Sequence, residues 1–184
     1  MERKEFLRNI CVTGVCACSG SAFLGQKTAL AEETDPGKEQ EDWRIGFSRQ
    51  RFTKFTELVQ TKLSEQEFNE IIHELGRYCS ANTKVIQQYK GDLDGYFKEI
   101  KRRWNEDASV DPESGIITIA SEKRTACFCP LIDTEQVSEQ VCNCSLGWQQ
   151  QTFETLTGKE VEVALKESVI RGGERCTFEI KILA

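Results

Sequence analysis

The sequence predicts an α+β domain in which helices come first and an antiparallel sheet follows, set behind a leader for export. Three observations predict it. Apolar residues recur every three or four positions up to about residue 104, and every second position from residue 116 onward. Turn-forming residues cluster where the period changes, at Asp111-Pro112-Glu113-Ser114-Gly115. Strands in runs beside segregated helices build an α+β architecture, with the N-terminal helices packed on the sheet.

The first element is the leader. Met1 to Asn9 carry Arg3, Lys4 and Arg8 against Glu2 and Glu5, and a weakly apolar stretch follows from Ile10 to Gly25. Ala29-Leu30-Ala31 then gives a small-x-small cleavage pattern ahead of an acidic run. That is the order of regions in a secretory signal, residues 1–31 here. The apolar stretch is too short and too rich in Gly and Ser for a membrane span, which needs about 20 strongly apolar residues. Arg3-Lys4-Glu5-Phe6-Leu7-Arg8 looks like the twin-arginine export consensus, with Lys4 in the place of the second arginine. The expectation is an exported protein, periplasmic or at the cell surface, cleaved at Ala29 and Ala31. Two other readings stay open: a cytosolic amphipathic N-terminus, and a lipoprotein anchored at Cys18. Without residues 1–31 the chain keeps 20 Lys and Arg against 28 Asp and Glu, a net charge of −8. Such a chain repels phosphate backbones and anionic lipid as a whole, and no basic stripe interleaved with aromatics argues for nucleic acid.

Residues 32–42 hold no apolar side chain and read as a disordered linker. Behind it, residues 43–184 suffice for one core, with a helical half at 43–110 and a sheet half at 111–184. In the first helix, about Phe47–Leu63, the inward residues are Phe52, Phe55, Leu58, Val59 and Leu63. The next is announced by Ser64-Glu65-Gln66-Glu67, a capping box, and its apolar stripe is Phe68, Ile71, Ile72, Leu75 and Cys79. A short helix covers Thr83–Tyr89. Asp92-Leu93-Asp94-Gly95 begins like a calcium loop, lacks the later ligands, and reads as the turn that starts a helix over Leu93–Trp104. That helix turns Tyr96, Phe97, Ile100 and Trp104 inward, and Lys101-Arg102-Arg103 form its solvated, C-terminal charge.

In the sheet half, Ile116–Ala120 is a strand, and residues 123–130 read as a second, polar strand carrying two cysteines. A helix over 144–157 stops at Gly158, where a left-handed cap favours the residue without a Cβ. Val161, Val163 and Leu165 alternate as a half-buried strand does, Arg171-Gly172-Gly173-Glu174 turns the chain, and Cys176, Phe178, Ile180 and Ile182 share one face of the last strand.

Cysteines carry the chemical signal. Nine are present, and Cys11, Cys16 and Cys18 fall within the leader. Four of the remaining six form a symmetric pattern, Cys127-Phe128-Cys129 and Cys142-Asn143-Cys144. On a strand, residues two apart point to one face, so each pair presents two sulfurs together. Two such pairs facing each other supply four ligands for zinc or for an iron–sulfur cluster. Export equally favours disulfides between the pairs, with no cofactor. Cys79 and Cys176 read as small buried hydrophobes. The single histidine, His73, excludes a two-histidine metal site within one chain and reads as a solvent-edge helix residue. No phosphate loop, nucleophile elbow or dinucleotide fingerprint is present.

The tail from Cys127 to Leu183 resembles the small-molecule-binding domain named after 4-vinyl reductases. The match runs through Gly147-Trp148, Phe153, Gly158, Val161-Glu162-Val163, Gly172-Gly173 and Cys176-Thr177-Phe178-Glu179-Ile180. Ser168 stands where that family often has a further cysteine. The run Cys142-Asn143-Cys144-Ser145-Leu146-Gly147-Trp148 is similar to a group of uncharacterised bacterial proteins with the same doubled C-x-C. The resemblance implies a fold related to vesicle-tethering subunits and to nitric-oxide-sensing haem domains, and leaves the ligand open. The function expected is a non-catalytic module for a small molecule or a metal, with Phe128, Trp148 and Phe153 as candidate wall residues. The alternative is a thiol-dependent enzyme, a redox protein or a hydrolase of small sulfur or nitrogen compounds, with a C-x-C cysteine as nucleophile.

Overall fold

The computed structural model describes residues 42–183. The leader, its Ala29 and Ala31 cleavage pattern, Cys18 and all of the linker but Asp42 lie outside the described residues. Asp42 itself ends the linker by capping helix α1, Trp43–Gln60, its side chain accepting from the Arg44 amide at 3.0 Å. Helix α1 starts earlier than its apolar spacing suggested, and it carries apolar residues on two faces. Phe52 and Val59 pack inward, whereas Phe55 and Leu58, expected inward, stand exposed at 57% and 50%.

Helix α2, Glu65–Ala81, begins with the expected capping box: the Ser64 hydroxyl accepts from the Glu67 amide and the Glu67 carboxylate accepts from the Ser64 amide. Its buried face is Phe68, Ile72, Gly76 and Ser80. Ile71 and Cys79, read from the sequence as part of the inward stripe, are exposed. The reason is that α2's neighbour approaches most closely over the small residues Gly76 and Ser80, and hydropathy does not mark these. Helix α3, Lys84–Gln88, is short. Helix α4, Leu93–Trp104, has the predicted bounds, and Asp92 caps it by accepting from the Gly95 amide at 2.8 Å. Its last turn carries Lys101, Arg102 and Arg103.

Asn105, at φ 53°, turns the chain into strand β1, Asp107–Val110. The Asp111 turn, in which its carboxylate accepts from the Glu113 and Ser114 amides, leads to β2, Ile117–Ala120. A 3-10 turn, Glu139–Val141, opens directly into helix α5, Cys142–Thr157, and Gly158 at φ 69° closes it. Strands β3, Val161–Glu167, and β4, Thr177–Ile182, complete an antiparallel sheet of order β1-β2-β4-β3. Ile117 faces Ile180 across β2 and β4, Val161 faces Ile182 across β3 and β4, and the β3–β4 register shifts between Leu165 and Glu167.

One expected strand is absent. Residues 123–130 form no strand; β1 is the sheet's fourth member instead. The cysteine segment spends its polar backbone locally, as when the Cys127 amide donates to the Thr134 hydroxyl at 2.8 Å. A strand's ladder needs those groups.

The main core lies between the sheet and helices α3, α4 and α5, built from Ile86, Tyr96, Ile100, Ile117, Phe153, Leu156 and Ile180. Helix α2 packs on the other side of α5, and this crossing is set by two glycines. A Cβ on Gly76 would overlap the Cys144 carbonyl, and a Cβ on Gly147 would overlap the His73 carbonyl. Each helix thus rests its backbone in the gap left by the other's missing side chain. Farther along the crossing the Ser80 and Thr152 hydroxyls, both fully buried, bond at 2.8 Å. A satisfied buried pair of this kind fixes the register of two helices.

Candidate thiol site

The close crossing of α2 and α5 decides where the cysteines stand. Gly76 lies against the peptide carbonyl of Cys144, so the first turn of α5 is held onto the middle of α2. A second, smaller core forms there: Phe68, Ile72, Ile132 and Val141 are its buried members, and Cys127, Cys129 and Cys144 pack against them. The segment that follows β2 brings Cys127 and Cys129 over this core. The Cys129 carbonyl accepts from the Ile132 amide at 3.1 Å. The Cys127 thiol sulfur accepts from the Cys129 amide.

All six cysteines of the described residues are free thiols, and they belong to one neighbourhood. Charge on Cys129, Cys79, Cys127 or Cys142 would act on Cys144. Charge on Cys129, Cys176 or Cys142 would act on Cys127. Cys79, from α2, and Cys176, from the approach to β4, fall in the same neighbourhood. Sequence reasoning set those two aside as buried hydrophobes. Cys79 is exposed, and Cys176 is half-buried and packs against the main core.

Two expectations about the local geometry are corrected. Cys142 and Cys144 sit in the first turn of a helix, so their side chains leave it about 200° apart. The parallel presentation that a strand gives does not apply to them. Cys142 turns to the far side, where its sulfur lies 3.1 Å from the Ser168 hydroxyl. Cys144 turns toward α2 and the Cys127–Cys129 segment. The helix start was also expected to favour thiolate. Burial outweighs it, pushing the Cys144 thiol up to about 12 and the Cys127 thiol up to about 11, with the neighbouring thiols adding in the same direction. Cys142 is raised as well, chiefly by burial, and Cys79, though exposed, is raised by partial desolvation and by Cys129 beside it. Among the described residues no three His, Cys, Asp or Glu side chains stand where they could share one metal ion. Thiolates as a class select zinc, copper(I) and iron–sulfur clusters.

The three aromatic wall candidates are not brought together. Phe153 is fully buried in the main core, edge-on to Tyr96 at 6.3 Å. Trp148 packs against that core from its margin. Phe128, between the two loop cysteines, is 56% exposed; its ring stands edge-on to Trp104 at 6.1 Å and lies 5.2 Å below the Arg124 guanidinium. Phe128 thereby pins the cysteine segment to the end of α4. The Arg124 guanidinium acts on Glu106, whose carboxyl burial pushes up to about 7. The Arg124 Nε is buried without a hydrogen-bond partner. His73, read as a solvent-edge residue, lines an open polar groove of about 570 Å³ with Glu74, Arg77, Gln150, Glu154 and Glu160. There Arg77 pairs with Glu154 at 2.8 Å.

No family model and no curated relative matches the chain. Solved structures align with it. A trafficking protein particle complex subunit 3 from Naegleria fowleri, covalently bound to palmitic acid, is similar over 78% of this chain and 98% of its own, with a TM-score of 0.50 and 11% identity. A vinyl-4-reductase family protein from Methanocaldococcus jannaschii aligns over 80% of this chain and 85% of its own, at a TM-score of 0.38 and 15% identity. The first likeness is one of fold alone, and the second is looser still. The fold shared with a trafficking-complex subunit agrees with the relationship that the resemblance of the tail implied. Among the described residues no helix is long and apolar enough to cross a membrane.

Proposed function

We propose that this chain is a non-catalytic binding module whose site is the cysteine cluster, and that its ligand is a thiophilic metal, zinc or the iron of an iron–sulfur cluster. The observation that supports the reading is that six unpaired thiols, from four parts of the fold, stand near enough for charge on one to act on others. A filled core does not require cysteine at any of those places. The helix-borne thiols are fixed by the α2–α5 crossing, while Cys127 and Cys129 ride on a segment without regular secondary structure. Binding requires that segment to close, because the thiols share no centre in the arrangement described. A bound cation would reverse the repulsion between thiolates that, together with burial, keeps these groups protonated.

Other ligands fit less well. The trafficking subunit is covalently bound to palmitic acid. A fatty acyl chain needs a long apolar cavity, whereas here Phe153 and its neighbours fill the space between α5 and the sheet, and the groove at His73 is lined by charge. A thiol nucleophile needs a depressed pKa and a base. Cys127 and Cys144 are shifted the other way by burial.

The proposal includes export by the twin-arginine-type leader, with the oxidising compartment as the competitor for the same sulfurs. Elemental analysis with thiol counting, on protein recovered outside the cytoplasm without reductant or chelator, tests it. About one zinc, or iron with sulfide, and a melting temperature lowered by chelation are expected. No metal with fewer than six free thiols would mean disulfides and would overturn the metal reading. Fast alkylation of one thiol near neutral pH would favour the enzyme.

A further inference from the structure

Helix α1 presents an apolar face that has no partner among the described residues. Trp43, Phe47, Phe55 and Leu58 are 71%, 50%, 57% and 50% exposed. At about 100° per residue they fall within an arc of about 120°, nearly opposite the buried Thr56. The stripe stands apart from the helix's inward contacts, which run through Phe52 and Val59, and contiguous exposed apolar patches mark interaction sites. Arg44, Arg51 and Lys54 fall in the same arc. The helix holds four basic residues, with Arg49, against the single acid Glu57, in a chain whose net charge is −6. The Arg51 guanidinium stands 5.5 Å over the Phe47 ring, and Trp43 and Phe47 lie 6.2 Å apart.

We propose that this face of α1 docks on an anionic phospholipid surface, lying in the plane of the interface. Trp and Phe at the headgroup level with Arg and Lys beside them are what an interfacial helix uses: the rings enter the acyl boundary and the cations meet the phosphates. The net negative charge of the whole chain opposes lipid only at long range, and it is screened within about 8 Å at physiological salt. The local charge of α1 decides the contact. A second copy of the chain is a poorer occupant. Arg51 lies near the midpoint between Trp43 and Leu58, so antiparallel pairing of two such faces would set Arg51 against Arg51.

Sedimentation of the full chain with vesicles of equimolar phosphatidylglycerol and phosphatidylcholine, against phosphatidylcholine alone, tests the proposal. Every variant keeps the preceding residues, so whatever these contribute cancels. The parent is expected to bind the anionic vesicles, and to lose binding as salt rises. A triple variant, Trp43→Ser, Phe47→Ser and Phe55→Ser, is expected to lower the partition coefficient at least about tenfold. Because these side chains are exposed, its melting temperature should hold. Should the triple variant unfold, the double variant Arg44→Glu and Arg51→Glu tests the same face, with loss expected on anionic vesicles only. Equal binding to both vesicle types, or a folded variant that binds like the parent, overturns the proposal. So does a variant whose only change is from dimer to monomer, or the loss of an acidic protein partner with lipid binding intact.

Discussion

The α2–α5 crossing and the segment from Ser121 to Ser138 are two walls of one thiol cluster, built in opposite ways. At the crossing, backbone meets backbone through Gly76 and Gly147, and a polar pair in its interior, Ser80 with Thr152, is buried and satisfied. The segment opposite has no strand or helix; backbone bonds to Glu174 and Cys176 hold its start, and farther along it is held by scattered contacts such as Arg49 to the Pro130 carbonyl and Phe128 to Trp104. One wall therefore sets the position of Cys144 and the other can adjust Cys127 and Cys129 to it. A site that must open for a ligand and still hold its geometry needs both.

That contrast is open to direct attack. The largest effect is expected from Gly76→Ala or Gly147→Ala, each costing about 3 kcal/mol or more by urea unfolding, because the added methyl meets a carbonyl that cannot swing away. A loss under about 1 kcal/mol would show that the crossing gives as easily as the segment does. Thr152→Val should cost about 2 kcal/mol, since it leaves the Ser80 hydroxyl buried without its partner. On the loop side the sign reverses. Glu106 is held above the ordinary carboxylate value, to about 7, chiefly by burial. Through that window the folded chain keeps a proton that the unfolded chain has lost, so this group's contribution falls as pH rises toward 7. Glu106→Gln should thus stabilise by about 2 kcal/mol above pH 7 and change little below about pH 4, as read by thermal melts at the two pH values. Phe128→Ala removes the ring contacts to Trp104 and Arg124 and should cost about 1 kcal/mol. Its sharper readout is amide exchange, expected to speed up across residues 125–135 and to stay unchanged in α2 and α5.

The same contrast explains what the sequence disclosed. Helix α4 was legible to the residue because Asp92 caps it and Tyr96 and Ile100 repeat at helical spacing. Strands β3 and β4 were legible because Val161 and Val163, then Phe178 and Ile180, alternate. Strand β1 was missed because Asp107-Ala108-Ser109-Val110 is polar and largely exposed, so its partner β2 defines it and its own pattern does not. Cys127-Phe128-Cys129 alternates like a strand, yet Phe128 faces solvent while Cys127 and Cys129 rest on a helix pair, which gives period two without a ladder. In α2 the buried positions Gly76 and Ser80 are small, so hydropathy pointed to Ile71 and Cys79 instead. Of the proposed site, spacing singled out four cysteines. The contributions of Cys79 and Cys176 required the tertiary crossing that no local pattern encodes.

The ends of the sheet bear on how the protein behaves at high concentration. Strand β1 on one margin is four residues long, and strand β3 on the other breaks register between Leu165 and Glu167. The β3 margin also carries cross-strand ion pairs, Glu162 with Lys181 at 3.5 Å and Lys166 with Glu179 at 3.2 Å. A short strand offers few unmet amides, and a kinked, charged one offers them out of line, so neither margin is a template on which another molecule's strand can grow. Fibrous self-association by strand addition is thereby discouraged at both margins, and the fold keeps this protection whether or not the thiols are occupied.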